Sequence, residues 1–443
     1  MERFITQKLI EWKDQQHRKP LILWGARQVG KTWSVLDFGR RHFDGTIHHI
    51  DLEKHPDWHG LFEKNLEARR ILSELELLIN RSIIQGKDLL FLDEIQSCPK
   101  AIMALRYFFE ETPDLHVIAA GSLLEFAVQD VSFPVGRVQT LDMHPMGFRE
   151  FLAAAGKMKL ADLLIRPPQK VPETVHQELL DQLRLYLFVG GMPESIKRYS
   201  ETGRVRDAFE VQADLINTFR QDFLKYAPLA DKQCLHSVLV STARNVGRQI
   251  KYSRLSEGFT NPTIKKAFFL LSQARLFRKV SSVSQPAVPF GASASDSKFK
   301  AVFLDIGLMQ QLCGLPVDME FNKQDLLSIY EGALAEQFAG QELLASGETD
   351  LYYWAREQKS STAEVDYLLA REGRAIPVEV KSGPAGRLRS MHLFMDLSPD
   401  CPRGVVLSCA PYAELPEQKL VFLPLYYACS LGSDISEGFA PAG

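Results

Sequence analysis

Eight residues near the start of the chain combine glycine, lysine and threonine at a spacing that suits phosphate binding. The segment 25–32 reads Gly-Ala-Arg-Gln-Val-Gly-Lys-Thr and follows the apolar run 20–24. Its glycines let backbone N–H groups turn toward phosphate oxygens, Lys31 adds a positive charge, and the Thr32 hydroxyl can bind Mg²⁺. We therefore expect a nucleotide-binding loop. The residues expected to contact the nucleotide are Gly25, Ala26, Arg27, Gln28, Val29, Gly30, Lys31, Thr32 and Trp33.

Two adjacent carboxylates end a second apolar run, residues 88–92. Asp93 can hold the Mg²⁺ shell, and Glu94 can polarise the attacking water, which are the two acidic roles that ATP hydrolysis requires. A glycine turn that merely caps a helix would not need these carboxylates. The pair therefore predicts an ATPase site in which Lys31 and Glu94 take part in catalysis.

A further set of charged residues lies in the last quarter of the chain. Glu379 and Lys381 stand two apart in a predicted strand, so they point to the same face. Asp366 precedes them on another strand, and Glu336 lies in the helical stretch 331–338. Carboxylates in this order can bind one or two Mg²⁺ ions that polarise a phosphodiester, while Lys381 orients or deprotonates water. The alternative is an ordinary surface hairpin with a Glu–Lys pair.

The charge of the chain is unevenly distributed. The net charge is −3, yet eleven basic residues and two acidic ones lie between positions 244 and 300. Such a basic segment is typical of nucleic-acid-binding modules, although a solvated basic face without a partner is the other interpretation. The basic residues are Arg244, Arg248, Lys251, Arg254, Lys265, Lys266, Arg275, Arg278, Lys279, Lys298 and Lys300.

The same segment has the pattern of two helices and a β-ribbon. A short helix is predicted at 252–259, and a second begins after Thr260-Asn261-Pro262, where a cap is followed by proline. Strands are predicted at 275–283 and 299–304, around a flexible wing at 288–297. This order predicts a winged helix whose second helix faces DNA. Winged helices also serve as protein-interaction modules. The apolar stripe of the second helix comprises Ile264, Ala267, Phe268 and Leu271.

Composition sets wider bounds. The length of 443 residues predicts roughly three domains, and 45% of the residues are hydrophobic. No apolar run approaches the ~18 residues of a membrane helix, and the first residues lack a signal-peptide core. We therefore expect a soluble, cytoplasmic protein. Six scattered cysteines without a C-x-x-C pair indicate neither a zinc site nor a disulfide framework.

Taken together, these blocks resemble the prokaryotic AAA-type ATPases, also called archaeal-type ATPases. These proteins carry a C-terminal domain of unknown function with a restriction-endonuclease-like, PD-(D/E)xK core. The resemblance spans nearly the full length. The segments that carry it are 25–32, 92–96, 120–122, 136–137, 145–151, 190–194, 303–308 and 366–381.

The resemblance implies roles for residues whose chemistry alone is ambiguous. Ser122 is similar to the sensor-1 residue near the γ-phosphate, or it is a helix N-cap. Arg137 is similar to arginine fingers that reach a neighbouring subunit, which implies a homo-oligomer, or it is a surface arginine. Pro193 belongs to a turn that contacts nucleotide from a helical lid, or to a plain turn. Asp305 has no assigned chemistry in the family, and we expect a helix cap.

The expected fold class is α/β, with four parts. An AAA-type P-loop core at 1–145 is followed by a helical lid at 146–227, a winged helix at 228–325 and a restriction-endonuclease-like domain at 326–443. The expected cofactors are ATP and Mg²⁺. In the first functional interpretation, the nucleotide state controls a C-terminal module that binds DNA and cleaves it with metal. In the alternative, a non-cleaving nuclease-like domain recruits DNA or a protein partner.

Overall fold

A computed structural model shows the chain as two compact units. The N-terminal unit contains Glu2–His144 together with Gln273–Arg275, and the C-terminal unit contains Pro145–Ser272 and Leu276–Gly443. The described residues are 3–127, 132–226, 230–314, 332–358, 361–381 and 388–432. The proposed boundaries at 227/228 and 325/326, and the first residue of the helical stretch 331–338, lie outside the described residues.

The N-terminal unit is built on a parallel five-stranded sheet. The strands are β1 (Leu21–Trp24), β2 (Ile47–Asp51), β3 (Leu89–Asp93), β4 (His116–Ala120) and β5 (Gln139–Asp142). Their order is β2-β3-β4-β1-β5, and every neighbouring pair is parallel. Because the strands are parallel, their carboxyl ends meet at one edge of the sheet. The segments that follow β1, β3 and β4 therefore come together there.

Helices cover this sheet and bury its apolar side chains. They are α1 (Ile5–Lys13), α2 (Lys31–His42), α3 (Ala68–Ile79), α4 (Pro99–Glu111) and α5 (Leu124–Ala127). In α2, Val35 and Phe38 lie three apart on one face, and both are buried, as the spacing predicts. β3 and β4 are buried along their whole length, which accounts for their continuous apolar sequences.

The C-terminal unit begins with helices and ends in a large sheet. The helices are α6 (Phe148–Ala154), α7 (Met158–Leu163), α8 (Glu173–Val189), α9 (Pro193–Thr202), α10 (Val205–Tyr226), α11 (Lys232–Arg244), α12 (Asn261–Gln273), α13 (Ile306–Cys313), α14 (Ala333–Ala345) and α15 (Arg389–Leu397). The stripe predicted for α12 is confirmed, because its four apolar residues are buried. No described helix is long and apolar enough to cross a membrane.

Eight strands form the sheet of the C-terminal unit. They are β6 (Phe277–Val283), β7 (Ala294–Phe303), β8 (Leu351–Gln358), β9 (Ser361–Arg371), β10 (Arg374–Val380), β11 (Gly404–Ser408), β12 (Ala413–Leu415) and β13 (Leu420–Pro424). The order is β12-β13-β11-β10-β9-β8-β6-β7. The sheet is mixed: β10, β11 and β13 are parallel neighbours, whereas β8, β9 and β10 alternate in direction.

The ribbon of the expected winged helix is part of this sheet rather than a separate wing. β6 and β7 form the predicted hairpin, but β6 also pairs in parallel with β8. Val283 packs in one apolar cluster with Trp354 and Val365, which lie on β8 and β9. Within the expected flexible wing, Phe290 is buried, and its ring lies 5.5 Å from that of Tyr352. The reason is hydrophobic: the ribbon has an apolar face that the strands after residue 350 cover.

Buried hydrogen bonds join the helices of this unit. Gln341 on α14 donates to the Tyr186 hydroxyl of α8 at 2.7 Å and accepts from the backbone N–H of Ile306 at 2.9 Å. Asp305 caps α13 by accepting from the N–H of Leu308, which confirms the expected cap. It also accepts from the N–H of Gly191 at 2.5 Å, and burial raises its pKa to about 6. The helices of the expected lid, the start of α13 and α14 are thus joined by buried polar contacts.

Candidate functional site

The 25–32 loop has the backbone that a phosphate-binding turn needs. It links β1 to α2, and Gly30, the N-cap residue of α2, has a left-handed φ of 94° that favours glycine. Gln28 also has a positive φ, 66°. A Cβ atom on Gly25 would lie 2.5 Å from the carbonyl oxygen of Met143, so this position requires glycine. The donor set of backbone N–H groups and a lysine fits a nucleotide phosphate.

Lys31 is held against its own loop. Its Nζ donates to the carbonyl oxygens of Gly25 at 3.0 Å and Ala26 at 2.8 Å, and only 8% of the residue is exposed. Burial lowers the pKa of Lys31 to about 8, although Glu94 and Asp93 oppose that shift. A phosphate in the loop would replace the two carbonyl oxygens with stronger, charged acceptors.

Asp93 and Glu94 lie at the end of β3 with their side chains held differently. Asp93 accepts from the backbone N–H of Glu94 at 3.1 Å and from His49 Nε2 at 3.1 Å. Glu94 has a left-handed φ of 48°, its carboxylate accepts from Gln96 Nε2 at 2.6 Å, and burial raises its pKa. His49 and Gln96 are partners that the sequence did not reveal. His49 lies opposite Phe91 in the β2–β3 pairing, a register that local sequence does not encode.

Ser122 follows β4 at the same edge of the sheet. It is 1% exposed, and its hydroxyl accepts from Arg27 Nε at 3.1 Å. Arg27 also contributes to the electrostatic environment of Lys31 and Glu94. The structure therefore brings the loop arginine and lysine together with the serine and the acidic pair. Thr32 and Trp33 lie in the first turn of α2, and the Trp33 side chain is exposed.

Arg275 is expected on a basic DNA-binding face, but in the structure it pairs with acidic residues. It belongs to the N-terminal unit and forms ion pairs with Glu125 and with Asp142, the latter at 2.6 Å. Its guanidinium also lies 5.3 Å from the ring centroid of Trp24. The two carboxylates raise the pKa of Arg275 against the opposing effect of burial. It is also one of the charges that lower the pKa of Lys31.

Arg137 and Pro193 belong to other elements of the fold. Arg137 precedes β5, and β5 runs parallel to β1, so Arg137 lies at the edge of the sheet opposite the phosphate loop. Its side chain is half exposed and donates to Glu110 at 2.9 Å. Pro193 is the first residue of α9 in the C-terminal unit, and the turn before it is fixed by Gly191, which accepts from the N–H of Met146 at 2.7 Å.

The expected metal-binding carboxylates of the C-terminal unit gather around a lysine. Lys300 Nζ lies 2.9 Å from Glu336, 2.5 Å from Glu364 and 3.3 Å from Asp366. Burial lowers the pKa of Lys300, but the carboxylates outweigh it and raise the pKa well above its ordinary value. Burial raises the pKa of Glu336 to about 8, against the attraction of Lys300. The charge pattern of the sequence predicts Lys300 on a DNA-facing surface, whereas the structure buries it.

Glu379 and Lys381 pair with each other beside this cluster. Lys381 Nζ lies 2.5 Å from Glu379 Oε1, while Glu379 Oε2 is buried without a hydrogen-bond partner. Burial raises the pKa of Glu379 to about 7. Asp366 uses its second oxygen to accept from the N–H of Val380 at 2.8 Å. Among the described residues, no group of three or more His, Cys, Asp or Glu is arranged to hold a metal ion. Glu336 and Asp366 direct oxygens to the Lys300 ammonium group, Glu379 directs one to Lys381, and Asp366 also accepts from a backbone N–H.

The remaining basic residues of the 244–300 segment differ in exposure. Six are exposed: Arg244, Arg248, Lys251, Arg254, Lys265 and Lys266. Two of them, Lys265 and Lys266, share α12 with Phe269, which is 58% exposed. Residues three and four apart lie on one side of a helix, so the two lysines flank this phenylalanine. α12 therefore presents a basic and aromatic face to solvent.

Three family models match consecutive parts of the chain. Residues 17–152 match an AAA domain. Residues 180–318 match a domain of unknown function (DUF8612), and residues 331–427 match another (DUF4143). No curated protein matches the chain.

Several solved structures are similar at low identity. A Walker-type ATPase of Pyrococcus abyssi is 16% identical, with a TM-score of 0.43, over 69% of this chain and 94% of that one. The Orc1 protein of Aeropyrum pernix, solved in complex with DNA, is 13% identical, with a TM-score of 0.30, over 71% and 91%. RuvB of Thermotoga maritima is 15% identical, with a TM-score of 0.31, over 62% and 88%.

Proposed function

We propose that this P-loop ATPase of the AAA type binds ATP with Mg²⁺ at the 25–32 loop, and that its nucleotide state controls DNA binding by the C-terminal unit. The observation that carries the proposal is the convergence of Lys31, Asp93, Glu94 and Ser122 at the carboxyl edge of one parallel sheet. Ligands bind at this edge in open α/β sheets.

Each residue at this edge has a distinct chemical task. Lys31 transfers its hydrogen bonds from loop carbonyls to the outer phosphates, and Thr32 and Asp93 would hold Mg²⁺, which neutralises phosphate charge when bound. Glu94 orients the attacking water and accepts its proton. A raised pKa suits this task, because a base works best when its pKa approaches the working pH. Ser122 and Arg27 stabilise the charge that develops on the transferred phosphoryl group.

The catalytic assignment is tested with two substitutions of opposite character. Lys31→Ala should abolish tight ATP binding, whereas Glu94→Gln should retain binding and lower turnover by about 10²-fold or more. The matched control is Glu53→Gln, which changes an exposed carboxylate after β2 and should leave both quantities unchanged. Normal hydrolysis by both Lys31→Ala and Glu94→Gln would contradict the assignment.

We also propose roles at the nucleotide for Arg137 and Pro193. Arg137 lies opposite the phosphate loop of its own chain, so we propose that it acts only on the nucleotide of a neighbouring copy. That role requires the Glu110 ion pair to open. Pro193 begins α9, and we propose that its turn belongs to a lid over the nucleotide. The four-part division at 145, 227 and 325 remains our proposal for the order of the parts along the chain, with the ribbon of the third part joined to the sheet of the fourth.

The proposed DNA-binding surface is the solvent face of α12, with Lys265, Lys266 and Phe269. Lysines at this face attract phosphates, and an exposed aromatic ring can stack on a base. α12 ends at Gln273, and Arg275 follows two residues later in the N-terminal unit. The charge of Arg275 lowers the pKa of Lys31 in the phosphate-binding loop. Only a few residues of chain therefore separate the proposed DNA-binding helix from a residue that acts on the nucleotide site.

The DNA-binding proposal is tested by reversing charge on α12. Lys265→Glu combined with Lys266→Glu should weaken duplex binding and reduce the slope of log affinity against log salt by about 2, since each phosphate contact contributes roughly 0.9. The matched control reverses Lys197 and Arg198, an adjacent exposed basic pair on α9. Equal losses in both double variants would indicate nonspecific electrostatics and contradict the assignment to α12.

The contacts between Lys300 and its neighbouring carboxylates favour a C-terminal module that binds DNA over one that cleaves it. In the restriction-endonuclease-like interpretation, Glu336, Asp366 and Glu379 hold metal and Lys381 assists the attack of water. Here Lys300 already uses oxygens of Glu336 and Asp366, and Lys381 is paired with Glu379. We therefore propose a nucleotide-controlled switch whose nuclease-like module recruits DNA without cutting it. DNA cleavage that is lost in Asp366→Ala or Lys381→Ala would contradict this form of the proposal.

A further inference from the structure

We infer that Lys300 is the resident cation of the C-terminal acidic cluster, and that this ammonium group excludes a divalent metal from the wild-type protein. The cluster consists of Glu336 on α14, Glu364 and Asp366 on β9, and Lys300 on β7. This inference shares its Lys300 contacts with the non-cleaving form of the proposed function, but it does not depend on ATP hydrolysis or on duplex binding, because it concerns which positive charge occupies the cluster.

The number of contacts matches the donors of an ammonium group. Lys300 Nζ has three hydrogens, and three carboxylates lie within 3.3 Å of it. Its side chain is only 2% exposed, so the charge is removed from water and is compensated by these oxygens. The ring of Tyr353 lies 5.2 Å from Nζ and adds a cation–π contact.

A divalent metal in this cluster would have to share its carboxylates with Lys300. Mg²⁺ binds oxygens at about 2.1 Å and repels an ammonium bound to the same carboxylates. The remaining oxygen of Asp366 accepts from the N–H of Val380, and Glu379 Oε1 faces Lys381. Glu379 Oε2 is buried without a partner. The second oxygens of Glu336 and Glu364 belong to carboxylates that already face Lys300, so a divalent ion bound to them would lie beside the ammonium group and be repelled by it.

Removal of the ammonium group should have two consequences. In Lys300→Met, an unbranched apolar side chain of similar length replaces the lysine, and three carboxylates lose their common cation. The variant should be less stable without metal, with a thermal midpoint lower by on the order of 10 °C. It should also gain a divalent-cation site, because carboxylate oxygens are the ligands that Mg²⁺ and Mn²⁺ prefer.

The experiment measures Mn²⁺ binding to the full-length, nucleotide-free protein by calorimetry, together with thermal midpoints in Mn²⁺ and in chelator. Wild type and Asp366→Asn should bind Mn²⁺ equally weakly. Lys300→Met should bind at least about tenfold more tightly, recover stability with Mn²⁺, and lose both gains when Asp366→Asn is added. Lys279→Met, a lysine of β6 outside the cluster, is the control and should behave as wild type.

The inference is overturned if wild-type protein binds Mn²⁺ as tightly as Lys300→Met and loses that binding in Asp366→Asn. It is also overturned if Lys300→Met folds but gains no metal affinity. Should Lys300→Met fail to fold, the comparison of wild type with Asp366→Asn decides alone. ATP hydrolysis and duplex binding by wild type do not enter any of these outcomes, so this inference and the proposed function can fail separately.

Discussion

Glu342 on α14 provides a pH-dependent test of how the C-terminal unit is held together. Its carboxylate accepts from the N–H of Phe148 at 2.8 Å, at the start of α6, and the residue is 2% exposed. Burial raises the pKa of Glu342 to about 8, from an ordinary value of 4.5. Because the folded pKa is raised, the stabilising contribution is complete below pH 4.5 and is lost as the pH rises through 8.

The magnitude follows from the two pKa values. Because Glu342 ionises more readily in the unfolded chain than in the folded protein, the free energy of unfolding falls by about 2 kcal/mol at pH 6 and by about 4–5 kcal/mol at pH 8.5. Glu342→Gln removes this titration, while the amide oxygen can still accept from Phe148. We therefore expect the stability of Glu342→Gln minus that of wild type to be about 2–3 kcal/mol larger at pH 8.5 than at pH 6.

The assay is urea unfolding of both proteins at the two pH values, with the difference taken between variants so that other titrating groups cancel. Glu201→Gln on the exposed surface of α9 is the control and should show no pH-dependent difference. A Glu342→Gln effect of the same size at pH 6 and pH 8.5 would refute the reasoning, since it would mean that Glu342 does not titrate in this range.

Three further predictions concern single contacts. Ser122→Ala removes the hydroxyl that accepts from Arg27, and it should lower ATP turnover about tenfold with a smaller change in ATP affinity. Steady-state kinetics and equilibrium binding measure the two quantities, and an equal loss of turnover and affinity would contradict the prediction. Arg137→Ala should leave turnover unchanged at protein concentrations where the chain is monomeric, and a loss in the monomer would contradict the trans role. Gly191→Ala places a Cβ 2.2 Å from the carbonyl oxygen of Met146 and should destabilise the protein by about 1–3 kcal/mol in urea unfolding. Gly60→Ala, which meets nothing within 4 Å, is its control, and equal stability of both variants would refute the packing argument.

The nucleotide site could be predicted because its parts are local in sequence. The phosphate loop, Asp93-Glu94 and Ser122 each follow an apolar strand directly, and parallel strands bring their carboxyl ends to one edge. His49 could not be predicted in the same way. Its contact with Asp93 depends on the pairing register of β2 and β3, which the alternation of residues in either strand does not specify.

The roles of Arg275 and Lys300 were missed for a different reason. A count of charges treats every lysine and arginine as a surface group, yet each of these residues is neutralised by acids that are far away in sequence. Arg275 pairs with Glu125 and Asp142, and Lys300 with carboxylates more than 30 residues later. Only tertiary structure places those acids beside the basic groups, so charge density overstated the DNA-binding face.

The β-ribbon shows the same limit for fold. Local sequence predicted both strands and the hairpin, but the partner that joins β6 to the larger sheet is β8, about 70 residues further along the chain. A winged-helix ribbon and a pair of edge strands have the same local pattern, and the choice depends on which long-range pairing buries more apolar surface.

The central claim is that the nucleotide bound near Lys31 sets the affinity of the C-terminal unit for DNA. The most direct test measures duplex binding by Glu94→Gln, which retains ATP, in saturating ATP and in saturating ADP. We predict that the two affinities differ by about fivefold or more, a coupling of roughly 1 kcal/mol or greater, and that Lys265→Glu with Lys266→Glu abolishes the tighter binding. Equal affinities in ATP and ADP would contradict the account.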